Sequence, residues 1–577
     1  MALDQQKKEK YLKKFLEEKT SAIKARQIRI NNWLENEKLY NGVPTTTLLT
    51  RSNLHVPKVF EAIQTTSSKL GQMPEVEFDT KPEGDENSIE IMKALWDHDI
   101  ARSDGDTIAQ NSKIEAGLYG RAVYKLIPSN EGAKIELIDT MSFLINPTAK
   151  STKDALYCGQ QFIYKTIEQL EEDADEFEYD KDEILKLKAY KEASETSANY
   201  SQEKSLKDLR LTYLGYANTS QLGAKMAEIN EWYTVIKRQW HVMTVANDRH
   251  ILRCVPVSEV GLEKHPYVSW ATFPRGVVFW TPGVADIVRD PNLAMDVSIN
   301  QMIDNNTYRN FGMMFVSSSS GLKQSSIVPR PLGVTSVNVG LDKNVKDSVW
   351  QFTPPEISSA NATLQTISQI AENAVGLSST PIGHKGKMTV TQQAQQSGIM
   401  ESKTNLLRQN YIKAWQELAQ MYADVISKNL TKPRKVKVYG YKPVTIEGVT
   451  KKNFTDVEFI AKATSAENSQ ENKAIKQKAA SNIYELFKDD PKIPGQLFLR
   501  ERTAKAFDME ATDIDKLFTA DKNPGQPDTP LQPTQNGQAQ NPQQPQAPVQ
   551  TPPANPEQPQ LSANGQATAA QVPAAIR

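Results

Sequence analysis

The chain has 577 residues, 38% of them hydrophobic, enough for several packed domains. A formal net charge of −1 at pH 7 excludes a generally basic coat for nucleic acid, so any DNA contact has to be local. Two cysteines, Cys158 and Cys254, exclude a disulfide framework or a CxxC metal knuckle and read as buried thiols of a protein folded in a reducing cytoplasm.

The start, MALDQQKKEKYLKKFLEE, is charged and lacks the apolar centre of a signal peptide. With no spanning apolar run behind it, the expectation is a soluble chain that stays in the cytoplasm that makes it. A helix is predicted from about Gln5 to Tyr40, with Leu12, Phe15, Leu16, Ile23, Ile30, Trp33 and Leu34 along one stripe until YNGVP stops it. A second helix follows through VFEAIQTTSSKLGQMP, and a third runs from Glu86 to Gly117. Within the third, DHDIARSDGD lacks the ligand ladder and closing Glu of a calcium loop and reads as the polar face and end of a helix.

The period then changes. The segment from Gly120 to Pro128, then AKIELID, MSFLINP and ALYCGQQFIYK, read as short strands between Gly, Pro, Asn and Asp, and RQWHVMTV with HILRCV reads as a hairpin about ANDR. The region is α+β. Between the strand groups, residues Glu168 to Arg210 carry a dense charge run, read as a solvated peripheral helix and loop.

After FWTPG the pattern is helical again, with Asp290 as N-cap and Pro291 at the first helical position, ending near Gly312. Strand-like pieces from MMFVSSSSG to DSVWQFTPP follow. A helix beyond Pro355 has Ala360, Leu364, Ile367, Ala371 and Ala374 as a narrow seam. A long helix then runs to about Asn429, its core face marked by Tyr411, Trp415, Leu418, Tyr422 and Val425. RKVKVYGY and DVEFIA read as strands, and about Glu467 to Thr519 as mostly helical. Beyond Asn523, twelve prolines and many glutamines, with Asp528, Glu557 and Arg577 as the only charges, predict a disordered tail.

Chemistry-bearing motifs are scarce. STPIGHKGKMTV has Gly386-Lys387 but places Pro381 where a P-loop needs glycine and Met388 where it needs a hydroxyl, so no ATP site is expected. The six histidines show no ligand spacing, and SSSSG lacks the GxSxG elbow. No metal, cofactor or catalytic constellation is implied, and the chain is not expected to be an enzyme.

The order of elements resembles the portal (head-to-tail connector) proteins of tailed bacteriophages. WLENEKLYNG, followed by RSNLHVPKVFEAIQTTSSKLGQMPEVEF, is similar to the family's entry into the wing. The segment from Ala116 to Leu126 and IDTMSFLINPTAKSTKDALYCGQQFIYKTIEQL resemble its wing strands, and HPYVSWATFPRGVVFWTPGVADIVRDPNLAMDVSINQMIDNN its first stem helix. The resemblance implies an α+β portal-type fold with an α/β wing, a two-helix stem, a small α/β clip and a long crown helix. The corresponding divisions are 1–280 for N-terminal helices and wing, 281–311 for the first stem helix and 312–352 for the clip. They continue with 353–376 for the second stem helix, 377–390 for the tunnel loop and 391–432 for the long helix. Residues 433–522 hold further wing strands and crown helices, and 523–577 the Pro/Gln-rich tail.

It further implies a homo-oligomeric ring, a dodecamer, assembled in the host cytoplasm and set at the portal vertex of the virion. Double-stranded DNA would pass through it without sequence reading during packaging and ejection. Terminase, tail adaptor, capsid and scaffold proteins are the implied partners, with no membrane. His384, Lys385 and Lys387 would approach the phosphate backbone from the tunnel loop. Lys323, Arg330, Lys343 and Lys346 would offer partner contacts on the clip, and Asn292, Asp296, Asn300 and Asp304 a stem polar face toward channel or neighbours. The alternatives are another virion component, a tail adaptor or capsid protein, and, from a different class, a nuclease or packaging ATPase.

Overall fold

Thirty-six residues of the N-terminal segment form one helix, α1 (Gln5–Tyr40), over the span its apolar stripe predicts. Phe15, Ile30, Trp33 and Leu34 are buried, whereas Leu16 is more than a third exposed. The computed structural model describes residues 5–43, 52–80, 86–193, 210, 226–310, 314–316, 349–351, 360–376, 390–438, 444–454, 457–464 and 481–482, all within the unit Met1–Asp521. The predicted crown helices, apart from 481–482, and the 523–577 tail lie outside the described residues.

The chain continues through α2 (Lys58–Lys69), β1 (Glu75–Thr80), α3 (Glu86–Arg102) and α4 (Gly105–Tyr119). The third predicted helix is thus two helices. Asp104 adopts a left-handed φ of 58° and ends the ladder, a conformation Asp tolerates better than most side chains. Helix α4 stops at Gly120, also left-handed at φ 83°, where a Cβ would fall on Thr281 O.

β2 (Arg121–Ser129), β3 (Gly132–Ile138), β4 (Phe143–Ile145) and β5 (Tyr157–Thr166) match the predicted strand run. α5 (Ile167–Glu176) and α6 (Lys181–Ala193) follow, then β6 (Met226–Ile236), β7 (Gln239–Ala246), β8 (His250–Pro256) and β9 (Tyr267–Ala271). They make two antiparallel sheets, ordered β3-β2-β9 and β4-β5-β6-β7-β8. The β7–β8 hairpin turns through Asn247 and Asp248, both at positive φ.

The charge run read as solvated is amphipathic instead. Leu170, Ala174, Ile184 and Leu187 are buried against Ala227, Ile229, Ala246 and Leu252 of the five-stranded sheet, and most of the charges lie on the opposite faces, Glu183 being buried against Lys8 and His250. Thr166 starts α5 with a capping box completed by Gln169.

The remaining elements are α7 (Val284–Asn310), β10 (Met314–Val316), β11 (Val349–Gln351), α8 (Ala360–Val375), α9 (Val390–Asn429), β12 (Arg434–Val438), β13 (Val444–Val449) and β14 (Phe459–Thr464). β14 pairs antiparallel with β1, so the C-terminal strand closes onto the N-terminal region.

The long helix α9 seats the largest core. Tyr411, Trp415, Leu418, Tyr422 and Val425 are all buried. Trp415 lies 5.4 Å from Tyr124 and 6.5 Å from Trp96, between ring centroids, while Tyr411 meets Trp270 at 5.3 Å. Each such ring contributes roughly 1.5–3 kcal/mol by leaving water. Beside them, Asp99 of α3 accepts hydrogen bonds from Tyr422 Oη (2.8 Å), Arg434 Nη2 (2.9 Å) and Ala133 N (3.2 Å), so one carboxylate ties α3, α9, β12 and the β2–β3 turn. The free edge of β14 is covered by side chains of α9: Gln416 donates to Ala461 O, and Gln420 bonds Ala461 N and Phe459 O.

Candidate functional site

The two helices expected to form a stem, α7 and α8, fall within the described residues. Helix α7 begins at Val284, earlier than Pro291, which lies inside it. Asp286 accepts from Gly283 N at 2.8 Å and so caps the earlier start; proline is accommodated at the loss of one donor, which leaves the Ile287 carbonyl without its helical partner.

Val284, Ala285 and Val288, at the start of α7, share a buried cluster with Ala371 and Val375, at the end of α8. The opposite ends are joined through β10 and β11, which pair antiparallel from Met314↔Gln351 to Val316↔Val349. The helices therefore run antiparallel, as a hairpin of two helices with a strand ribbon at its tip. The seam of α8 passes from Ala371 to Val375 rather than Ala374, which is exposed.

The four stem polar residues fall on one stripe of α7, and the structure shows what they touch. Ser52 N donates to Asp304 Oδ1 (2.9 Å), Leu54 N to Asn300 Oδ1 (2.7 Å), Val56 N to Asp296 Oδ1 (2.7 Å) and Val59 N to Asn292 Oδ1 (3.0 Å). Asn300 Nδ2 returns a bond to Leu54 O at 2.9 Å. The fit follows from two periods: alternate amides of an extended chain are about 6.6 Å apart, and residues four apart on a helix about 6 Å. Side chains at i, i+4 and i+8 can thus pair with every second amide of the 52–56 segment. Asn292 and Asp296 are buried by this contact, while Asn300 and Asp304 are half-buried.

Lys58 fastens the same segment to α8, with Nζ 2.7 Å from Glu372 and 3.0 Å from Glu61. Burial alone would lower the Lys58 ammonium, but the hydrogen bonds to Glu372 and Glu61 outweigh it and hold the pKa above the ordinary lysine value.

His384, Lys385 and Lys387, expected in a tunnel loop, and Lys323, Arg330, Lys343 and Lys346, expected on a clip, lie outside the described residues. Sequence reasoning missed the partner of the stem stripe. SNLHVPKV carries no hydrophobic period, and the α7 stripe binds its backbone, which every sequence possesses; the i, i+4 recurrence of Asn and Asp was the only signal.

Elsewhere the geometry offers little chemistry. A cavity of about 180 Å³ lies between α9 and the loop before β9 and includes His265, Gln420 and Asp424. His265 has both ring nitrogens engaged, by Thr152 O and Tyr267 N, and burial pushes it down to about 4, leaving it neutral at pH 7. Among the described residues no group of His, Cys, Asp and Glu is arranged to hold a metal ion, and no helix is long and apolar enough to cross a membrane.

No curated protein matches the chain. The family model described as the phage SU10 portal protein matches residues 58–570, a span that begins at α2 and takes in both sheets, the antiparallel helix pair and the long helix. With the match covering most of the chain and the helix pair lying inside it, the chain belongs to the phage SU10 portal protein family.

Proposed function

We propose that copies of the chain close a ring at one vertex of a phage capsid, a dodecamer, through which double-stranded DNA is packaged and later ejected. The single observation that carries this reading is the family match from 58 to 570, across the whole helical hairpin. The protein is a conduit and a docking ring; the energy of translocation comes from a separate terminase motor. The clip, with Lys323, Arg330, Lys343 and Lys346, faces that motor and afterwards the tail adaptor, and the wing and crown lie toward the capsid interior.

His384, Lys385 and Lys387 form a collar that holds duplex by its phosphates, since mobile lysine charges repeated by ring symmetry grip a backbone without reading bases. In the stem, Asn292 and Asp296 seat the 52–59 segment, and the half-buried Asn300 and Asp304 leave the far end of the stripe toward channel or neighbours. A partly acidic lining there repels phosphate and limits sticking.

Negative-stain imaging of the purified protein tests the reading: rings with a central hole are expected, and a single copy, a tube or a shell overturns it. Replacing Lys385 and Lys387 with alanine should shorten the packaged DNA or weaken its retention in assembled heads; wild-type length and retention would remove the collar.

A further inference from the structure

His55 stands at the centre of the contact between the 52–59 segment and α7, and both of its ring nitrogens face acceptors. Nδ1 lies 2.9 Å from Asp296 Oδ2, and Nε2 lies 2.9 Å from Leu39 O in the last turn of α1. A carbonyl oxygen can only accept, so Nε2 carries a hydrogen. The proton between Nδ1 and Asp296 then makes His55 a bridge with a hydrogen bond at each end. The side chains of His55 and Asp296 are 6% and 3% exposed, so neither has water as a substitute partner.

The surroundings match. Asp296 Oδ1 accepts Val56 N at 2.7 Å and Oδ2 also faces Asn292 Nδ2 at 3.4 Å, which supplies the carboxylate with donors on both oxygens. Leu39 O lies in the last turn of α1, where positive charge is favoured, and its other partner is Gly42 N at 3.4 Å. Lys58, three residues along, is drawn away to Glu61 and Glu372. Gly42 packs against the imidazole edge, with its Cβ position 3.9 Å from Cδ2.

We propose that His55 couples the stem helix to α1: a displacement of α7 that moves Asp296 is transmitted through the imidazole to the C-terminal turn of α1, which Asp296 does not itself touch. α1 and the start of α7 already meet directly, through Arg29 and Asn36 on Asp286 and through Trp33 and Leu34 beside Val284 and Val288; His55 adds a second link farther along α7, at Asp296, and ties the 52–59 segment into it. The inference stands on the protomer geometry and holds whether or not the chain acts as a portal.

Amide hydrogen exchange of the full-length protein tests it in the variant Asp296→Ala, which takes the acceptor from His55 Nδ1 and from Val56 N together. The expected result is a rise of about tenfold in exchange at Val56, the size a lost charged hydrogen bond gives, together with a rise at residues 41–43, whose amides bond Glu37 O, Leu39 O and Lys38 O. A rise at Val56 with 41–43 unchanged overturns the coupling. Should that variant not fold, His55→Asn, too short to span both partners, should raise exchange at 41–43 and at Val56 together; a response at only one of them overturns the proposal equally.

Discussion

Helices α9 and α7 are both long, yet they are seated by opposite chemistry. α9 presses five large side chains, three of them aromatic, into a continuous core with α3, β2 and β9. α7 buries a short apolar run near its start, and beyond Met295 it is held by Asp296, Asn300 and Asp304 on the backbone of another segment. An apolar seat is a sum over area, so its parts act nearly independently of direction. A polar seat is a set of directed bonds, each of which depends on its partner being in register. The first holds a helix firmly; the second holds it in one particular register and lets go in steps.

The comparison can be broken most forcefully at Trp415. Truncation to alanine removes a fully buried ring from contact with Trp96, Tyr124 and Tyr411 and should cost about 3–5 kcal/mol, read as a large fall in thermal unfolding temperature or loss of soluble protein. A small effect would mean that α9 is not seated by its aromatic face.

Next in size is Arg434→Ala, which strips the guanidinium from Asp99 inside the same core and should cost about 3 kcal/mol at neutral pH. Burial alone would raise the Asp99 carboxyl, but Arg434, with His98 and Tyr422, holds it below the ordinary carboxylate range. The folded group therefore keeps its charge to lower pH than the unfolded one. Its stabilisation is present above about pH 4 and lost as pH falls further, so the gap between wild type and variant should close in acid. A gap independent of pH would show that packing of Arg434, not its charge, matters.

At the junction of α1 and α4, removal from water, with Asp139 close by, pushes Glu115 up to about 8 from an ordinary 4.5. The folded state then binds the extra proton between these values, and stability falls as pH rises through that window. Glu115→Gln should flatten this slope, a change on the order of 2 kcal/mol in urea unfolding compared at pH 5 and pH 8. Parallel curves for wild type and variant would refute it.

The smallest effect belongs to the polar seat. Asn300→Ala removes two bonds to Leu54 at a half-buried position and should cost about 1 kcal/mol in denaturant unfolding. A loss as large as that of Trp415 would erase the distinction between the two helices.

Some of this is legible in the residues alone. The five core positions of α9 repeat every three or four residues, and the α1 stripe is as regular; periodicity reports burial because water excludes apolar surface whatever covers it. The strands β2 to β5 are legible between their turn residues. β6, the central strand of its sheet, is not among the predicted strands, and the charge run of α5 and α6 hides a buried face, because charge density draws attention from the few apolar positions between.

By itself the sequence determined the core face of α9, where α1 stops, and that Asn292, Asp296, Asn300 and Asp304 share a stripe. Only the tertiary structure decided what that stripe holds: a backbone segment more than two hundred residues earlier, with His55 set between Asp296 and Leu39. The reason is physical. Apolar burial depends on composition along one element, whereas a directed hydrogen bond to a backbone amide leaves no mark on the partner's side chains and exists only once the chain has brought the two together.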